Sequence, residues 1–131
     1  MIQKTIFIIS FLFCSIAAFA QPFDCSKFKE GKFRTADHNI GSIIITERRG
    51  GYQTESNEAL KLVIRFRVNW TDNCSYTLTL DKIIRNENKI AIPSNTAIKV
   101  KIVETSRSSY TQESSSSITN GTTRSEVTKL D

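Results

Sequence analysis

A two-residue period constrains this chain more than any other feature. Between Leu60 and Trp70, the residues Leu60, Leu62, Ile64, Phe66, Val68 and Trp70 share one phase, while Lys61, Arg65, Arg67 and Asn69 share the other; Val63 is the exception. Successive side chains of a strand point to opposite faces, so this is a β-strand with one buried and one wet face. After the polar turn Thr71-Asp72-Asn73, the chain returns as Cys74 to Leu80 with Cys74, Tyr76, Leu78 and Leu80 in phase. The two runs predict a hairpin.

The same reading extends along the chain. Gly31 to Thr35 is a short strand, Ser42 to Arg48 an isoleucine-rich one, and Gly50-Gly51 turns the chain into the polar strand Tyr52 to Glu55. Polar stretches from Asn86 to Lys89 and from Pro93 to Asn95 mark a longer loop, after which Ala97 to Thr105 sets Ile98, Val100 and Ile102 against Lys99 and Lys101. The tail adds Tyr110 to Ser114, a serine-rich stretch to Ser117, the turn Asn120-Gly121 and a last strand from Thr123 to Leu130. About eight short strands with tight connections predict an all-β antiparallel meander closing into a small barrel, since closure removes exposed edges. A two-layer β-sandwich or an open curled sheet shows the same alternation and is the alternative.

The N-terminus reads differently. Lys4 precedes an apolar run from Thr5 to Phe19 that ends in Ala18-Phe19-Ala20, the three regions of a secretory signal peptide, so cleavage after Ala20 is expected. A single β domain over 21–131, with a Ser/Thr-rich C-terminal part and no membrane anchor, would remain. Export removes Cys14 and leaves Cys25 and Cys74, an even pair for an oxidising compartment. Their disulfide would close a loop of about 50 residues and add about 4 kcal/mol on the chain-entropy model. The net charge of +5 over 131 residues is mildly basic and scattered, which argues against nucleic acid as a partner.

No catalytic set emerges. His38 is the single histidine and sits beside Asp37 in a polar turn; there is no Cys-x-x-Cys and no Gly-x-Ser-x-Gly, and neither a metal nor a cofactor is called for. Glu47 and Glu55 flank the Gly50-Gly51 turn as the one candidate carboxylate pair, equally readable as salt-bridge partners. Two binding surfaces can be drawn. Lys61, Arg65, Arg67, Lys99 and Lys101 lie on wet phases and would dock an anionic envelope component if their strands are neighbours. The inward set, Phe33, Ile45, Leu62, Ile64, Phe66, Trp70, Tyr76, Leu78, Val100 and Ile102 together with Ile43, either fills the barrel or lines a pocket for a small apolar ligand, because both occur at eight strands.

The segments Cys25-Ser-Lys-Phe28-Lys-Glu-Gly31-Lys-Phe33, Val68-Asn-Trp70-Thr-Asp-Asn-Cys74-Ser-Tyr76-Thr-Leu78-Thr-Leu80 and Val100-Lys-Ile102-Val-Glu-Thr105 with Tyr110 resemble a group of small exported proteins of Bacteroidota-type bacteria. The likeness covers roughly residues 25 to 112 and implies export and paired cysteines, with no activity attached. The label of topoisomerase IV subunit that often accompanies that group is excluded by chain size and the lack of a nucleotide-binding loop. Gly31-Lys32-Phe33 is more loosely similar to the Gly-x-Trp of lipocalin-type barrels, which plugs the closed end. The expected function is that of an exported, noncatalytic β module acting by binding or structure in the envelope or extracellular space. The alternative is a lipocalin-like carrier of a small apolar ligand.

Overall fold

The computed structural model describes residues 24–37 and 41–131. The expected signal peptide and the reading of His38 lie outside the described residues. Eight antiparallel strands follow a 3-10 turn at Ser26–Phe28: β1 (Gly31–Asp37), β2 (Ser42–Arg49), β3 (Tyr52–Asn57), β4 (Leu62–Asp72), β5 (Ser75–Asn86), β6 (Ala97–Thr105), β7 (Ser109–Ser116) and β8 (Thr123–Lys129). Each strand pairs with the next, and β1 pairs with β8, so the meander closes into a barrel. The arrangement is compatible with a lipocalin-like fold.

Local chemistry explains the tight returns. Gly50 and Gly51 have φ of 60° and 81°, the left-handed region that a two-residue hairpin matching strand twist requires, and they join β2 to β3 with Arg49 opposite Tyr52. Asp72 closes the turn between β4 and β5 by accepting a hydrogen bond from the Cys74 amide at 2.9 Å. β5 runs well past Leu80, where the alternation weakens. Register shifts in the β4–β5 ladder between Val63 and Ile64 and between Arg65 and Phe66 absorb extra residues and bend this long pair around the barrel. Leu60 lies in the turn before β4 rather than in the strand.

The lower end of the barrel, beneath the β2–β3 and β4–β5 turns, is filled. Cys25, Phe28, Phe33, Ile102, Tyr110 and Val127 form one buried cluster, with Trp70 and Cys74 packed against it. Phe28 and Phe33 meet the Tyr110 ring at centroid distances of 5.0 and 5.9 Å, the tilted and edge-on geometries that aromatic quadrupoles favour. Burying each such side chain contributes about 2–3 kcal/mol. The disulfide Cys25–Cys74 fastens the 3-10 turn across this end. Phe33, from Gly31-Lys32-Phe33, thus sits in the plug at the closed end. A second cluster of Phe66, Tyr76, Leu78 and Val100 lines the wall formed by β4, β5 and β6.

One expectation about the core is corrected. Ile43 and Ile45 do not face inward: Ile43 is 46% exposed, and Ile45 stands on the same outward phase, with Arg34 and Ser56 as cross-strand neighbours. Ser42, Thr46 and Arg48 are buried in their place. Three consecutive isoleucines carry no phase of their own, and the ladder with β3 assigns the inward phase to polar residues that find partners inside.

Candidate site in the barrel interior

Above the filled end lies a cavity of about 330 Å³, within the size range of small-molecule pockets. The interior is therefore divided rather than filled throughout. Apolar lining comes from Ile44, Leu78, Ile98 and Val100, and polar lining from Thr46, Glu55, Gln112 and Ser114 among others. The floor is built around Arg48, which is only 3% exposed. Its Nε donates to Gln53 Oε1 at 2.8 Å and its Nη1 to the Phe28 carbonyl at 2.6 Å. Its Nη2 donates to the Tyr76 and Tyr110 hydroxyls at 2.8 and 3.2 Å. The guanidinium also lies 4.8 Å from the Phe33 ring centre and 4.7 Å from that of Tyr76, so aromatic faces take part of its charge. These bonds engage four of its five N–H groups, which is what makes a buried cation tolerable here.

Gln53 extends the network upward. Its Nε2 donates to Glu55 Oε1 at 2.8 Å, linking Arg48 to a carboxylate on the cavity wall through one amide. Burial pushes the Glu55 carboxyl above the usual carboxylate range, against the pull of the Gln53 hydrogen bond and the Arg48 charge. Burial, reinforced by Tyr110, likewise drives the Tyr76 hydroxyl well above its ordinary value, so it remains an O–H donor at physiological pH.

The inward set divides by height. Tyr76, Leu78 and Val100 line the cavity, and Phe66 packs behind them. Phe33 and Ile102 belong to the filled end, Trp70 touches both clusters, and Ile64 packs against the second. Leu62 is half-buried at the upper end of β4, and Ile45 is outside. Arg48, Gln53, Glu55 and Tyr110 are absent from that set and make the most specific part of the site. Alternation hides them, because a polar residue in a period-two pattern reads as solvent-facing.

The basic surface is less free than its charge count implies. Arg65 and Arg67 both donate to Asp81, at 2.7 and 3.1 Å, and both lie over the Tyr52 ring. Lys61 sits in the turn before β4 at 3.8 Å from Glu87. Lys99 and Lys101 are exposed on β6, separated from β4 by β5. Glu47 and Glu55 fall on opposite faces: Glu47 is exposed near Arg49 at 3.9 Å, whereas Glu55 faces the cavity, so they do not form a carboxylate pair.

Among the described residues, no three His, Cys, Asp or Glu side chains converge to hold a metal ion, and no helix is long and apolar enough to cross a membrane. A scan against protein-family models, a search of curated proteins and a search of solved structures each find no match for this chain.

Proposed function

We propose that this chain is an exported, noncatalytic β-barrel module that binds one small ligand inside the barrel, in the cell envelope or the extracellular space. The observation that carries the reading is the 330 Å³ cavity above a hydrogen-bonded polar floor. A barrel of this size with a purely structural role would gain stability by closing that space, since unfilled interior volume forfeits packing. The walls favour a compact ligand with both apolar and polar parts over a wholly apolar one. Support for export comes from the Cys25–Cys74 disulfide, which persists in oxidising compartments, and from the likeness to exported Bacteroidota-type proteins. Docking through the basic face is the weaker reading, because Asp81 already pairs with two of its arginines.

Native mass spectrometry of the protein purified without detergent from its own host tests this. The expected result is a noncovalent adduct that vanishes on denaturation and is lost in Ile98→Phe, which fills the cavity. An apo mass throughout, together with envelope association abolished by reversing the charges of Lys61, Arg65 and Arg67, would overturn the reading in favour of docking.

A further inference from the structure

We propose that the ligand of this cavity is a small organic cation, an alkyl- or arylammonium whose charged nitrogen pairs with Glu55. The inference rests on the interior-binding reading and narrows it. Its basis is an imbalance between the two charged groups that meet the cavity. Arg48 has acceptors on all three nitrogens, supplied by Gln53, Phe28, Tyr76 and Tyr110, and aromatic faces beside it. Four of its five N–H groups are thereby engaged, so an anion arriving there would have to displace bonds the fold already makes to gain more than one contact. Glu55 is the reverse case. Its Oε1 accepts from Gln53, and among the described residues its Oε2 has no hydrogen-bond partner and no lysine or arginine nitrogen stands within 4.0 Å of it.

Position reinforces the imbalance. Glu55 is opposite Thr46 and one inward step above Gln53, so Gln53 stands between it and Arg48 on the β2–β3 wall. A cation entering from above meets Glu55 first. The other guanidinium that touches the cavity, on Arg124, is drawn toward Glu113 and Glu104 at 3.1 and 3.9 Å. A carboxylate inside a barrel is costly to leave without a charge partner, and a bound ammonium supplies one together with a charge-assisted hydrogen bond. Burial already disfavours the bare carboxylate at this place.

Size fixes the rest of the class. At about 30 Å³ per water, the cavity matches roughly ten waters, too little for a long acyl chain and enough for one ring with a short arm. Ile44, Leu78, Ile98 and Val100 offer that body an apolar wall.

Isothermal titration calorimetry of the whole domain at about pH 7, where an amine is charged, with three probes of similar size separates the possibilities: 2-phenylethylammonium, 2-phenylethanol and 3-phenylpropanoate. The ammonium is expected to bind at least about tenfold tighter than either other probe. Glu55→Gln, which keeps an oxygen for Gln53, should bring the ammonium to the level of the alcohol and leave the alcohol unchanged. Tightest binding of the carboxylate, equal binding of ammonium and alcohol, or an unchanged ammonium affinity in Glu55→Gln would overturn the cation while leaving interior binding intact. No binding of any probe, with Ile98→Phe indistinguishable from the parent and no adduct from the host, would remove both.

Discussion

Arg48 and Glu55 hold opposite positions in the energetics of the interior. Arg48 is a structural cation whose removal leaves the Phe28 carbonyl, the Gln53 oxygen and two tyrosine hydroxyls short of a donor. Arg48→Met is therefore expected to cost about 3 kcal/mol despite its apolar replacement, read as a lower urea midpoint at unchanged slope. Arg48→Lys should recover only part of this, because a point charge cannot serve a fork of acceptors. Glu55 behaves in the contrary sense. Its carboxyl holds a proton more tightly in the folded than in the unfolded chain, so its contribution favours folding at acid pH and is lost as pH rises from the usual value of 4.5 through the raised one. The groups facing it are Arg48 from β2 and Gln53 from β3, while Tyr76, raised well above its ordinary value, stays neutral over that window. The stability gained by Glu55→Gln over the parent should consequently grow with pH between that usual value and neutrality, as followed by urea titrations across the range. A difference that shrinks with pH would mean that Glu55 is stabilised as the anion.

At the scale of elements, the closed end depends on a segment too short to hold itself. The 3-10 turn Ser26–Phe28 has Asp24 accepting from the Ser26 amide and hydroxyl at 3.0 and 2.6 Å, and otherwise stands by burying Phe28 and by the Cys25–Cys74 bond. The Lys27 ammonium adds hydrogen bonds to the Ser106 and Arg107 carbonyls in the β6–β7 turn. With a separation of 49 residues, the disulfide constrains the unfolded chain by about 4 kcal/mol. The double variant Cys25→Ala, Cys74→Ala should lose that much in chemical denaturation. It should also show faster hydrogen exchange at Phe28, whose amide donates to the Cys25 carbonyl at 3.0 Å. The Phe28 carbonyl is an acceptor for Arg48, so loosening this turn also loosens the cavity floor.

For the molecule as a whole, the critical seam is the one that joins the first and last strands of the meander. β1 meets β8 through Phe33 with Lys129, Arg34 with Thr128 and Thr35 with Val127, a shorter ladder than those of the hairpins. The seam continues where the Leu130 amide donates to the Lys32 carbonyl at 2.7 Å and the Lys32 amide to Asp131 Oδ1 at 2.9 Å. Val127 belongs to the same buried cluster as Phe33 and Tyr110. Val127→Asp places an unpaired charge in that cluster and should open the barrel at β1 and β8, with a loss above about 3 kcal/mol. Binding of a hydrophobic dye, with exchange rising first in β1 and β8, is the expected signature; uniform exchange across all strands would show that closure is not a separate unit.

Alternation, turn residues and the cysteine count were enough to specify an all-β meander with its hairpins in order and the disulfide, because strand phase and turn chemistry are local properties. Leu62 to Trp70 reads correctly for that reason, as do Tyr76, Leu78, Val100 and Ile102. Only the closed barrel decided the polar wall. Whether Arg48, Gln53 and Glu55 face water or the interior depends on partners that arrive from the 3-10 turn, β5 and β7, and no local period encodes those. Hydrophobic pattern places apolar side chains inside, but a buried polar side chain is placed by its hydrogen-bond partners, which the tertiary fold alone brings within reach.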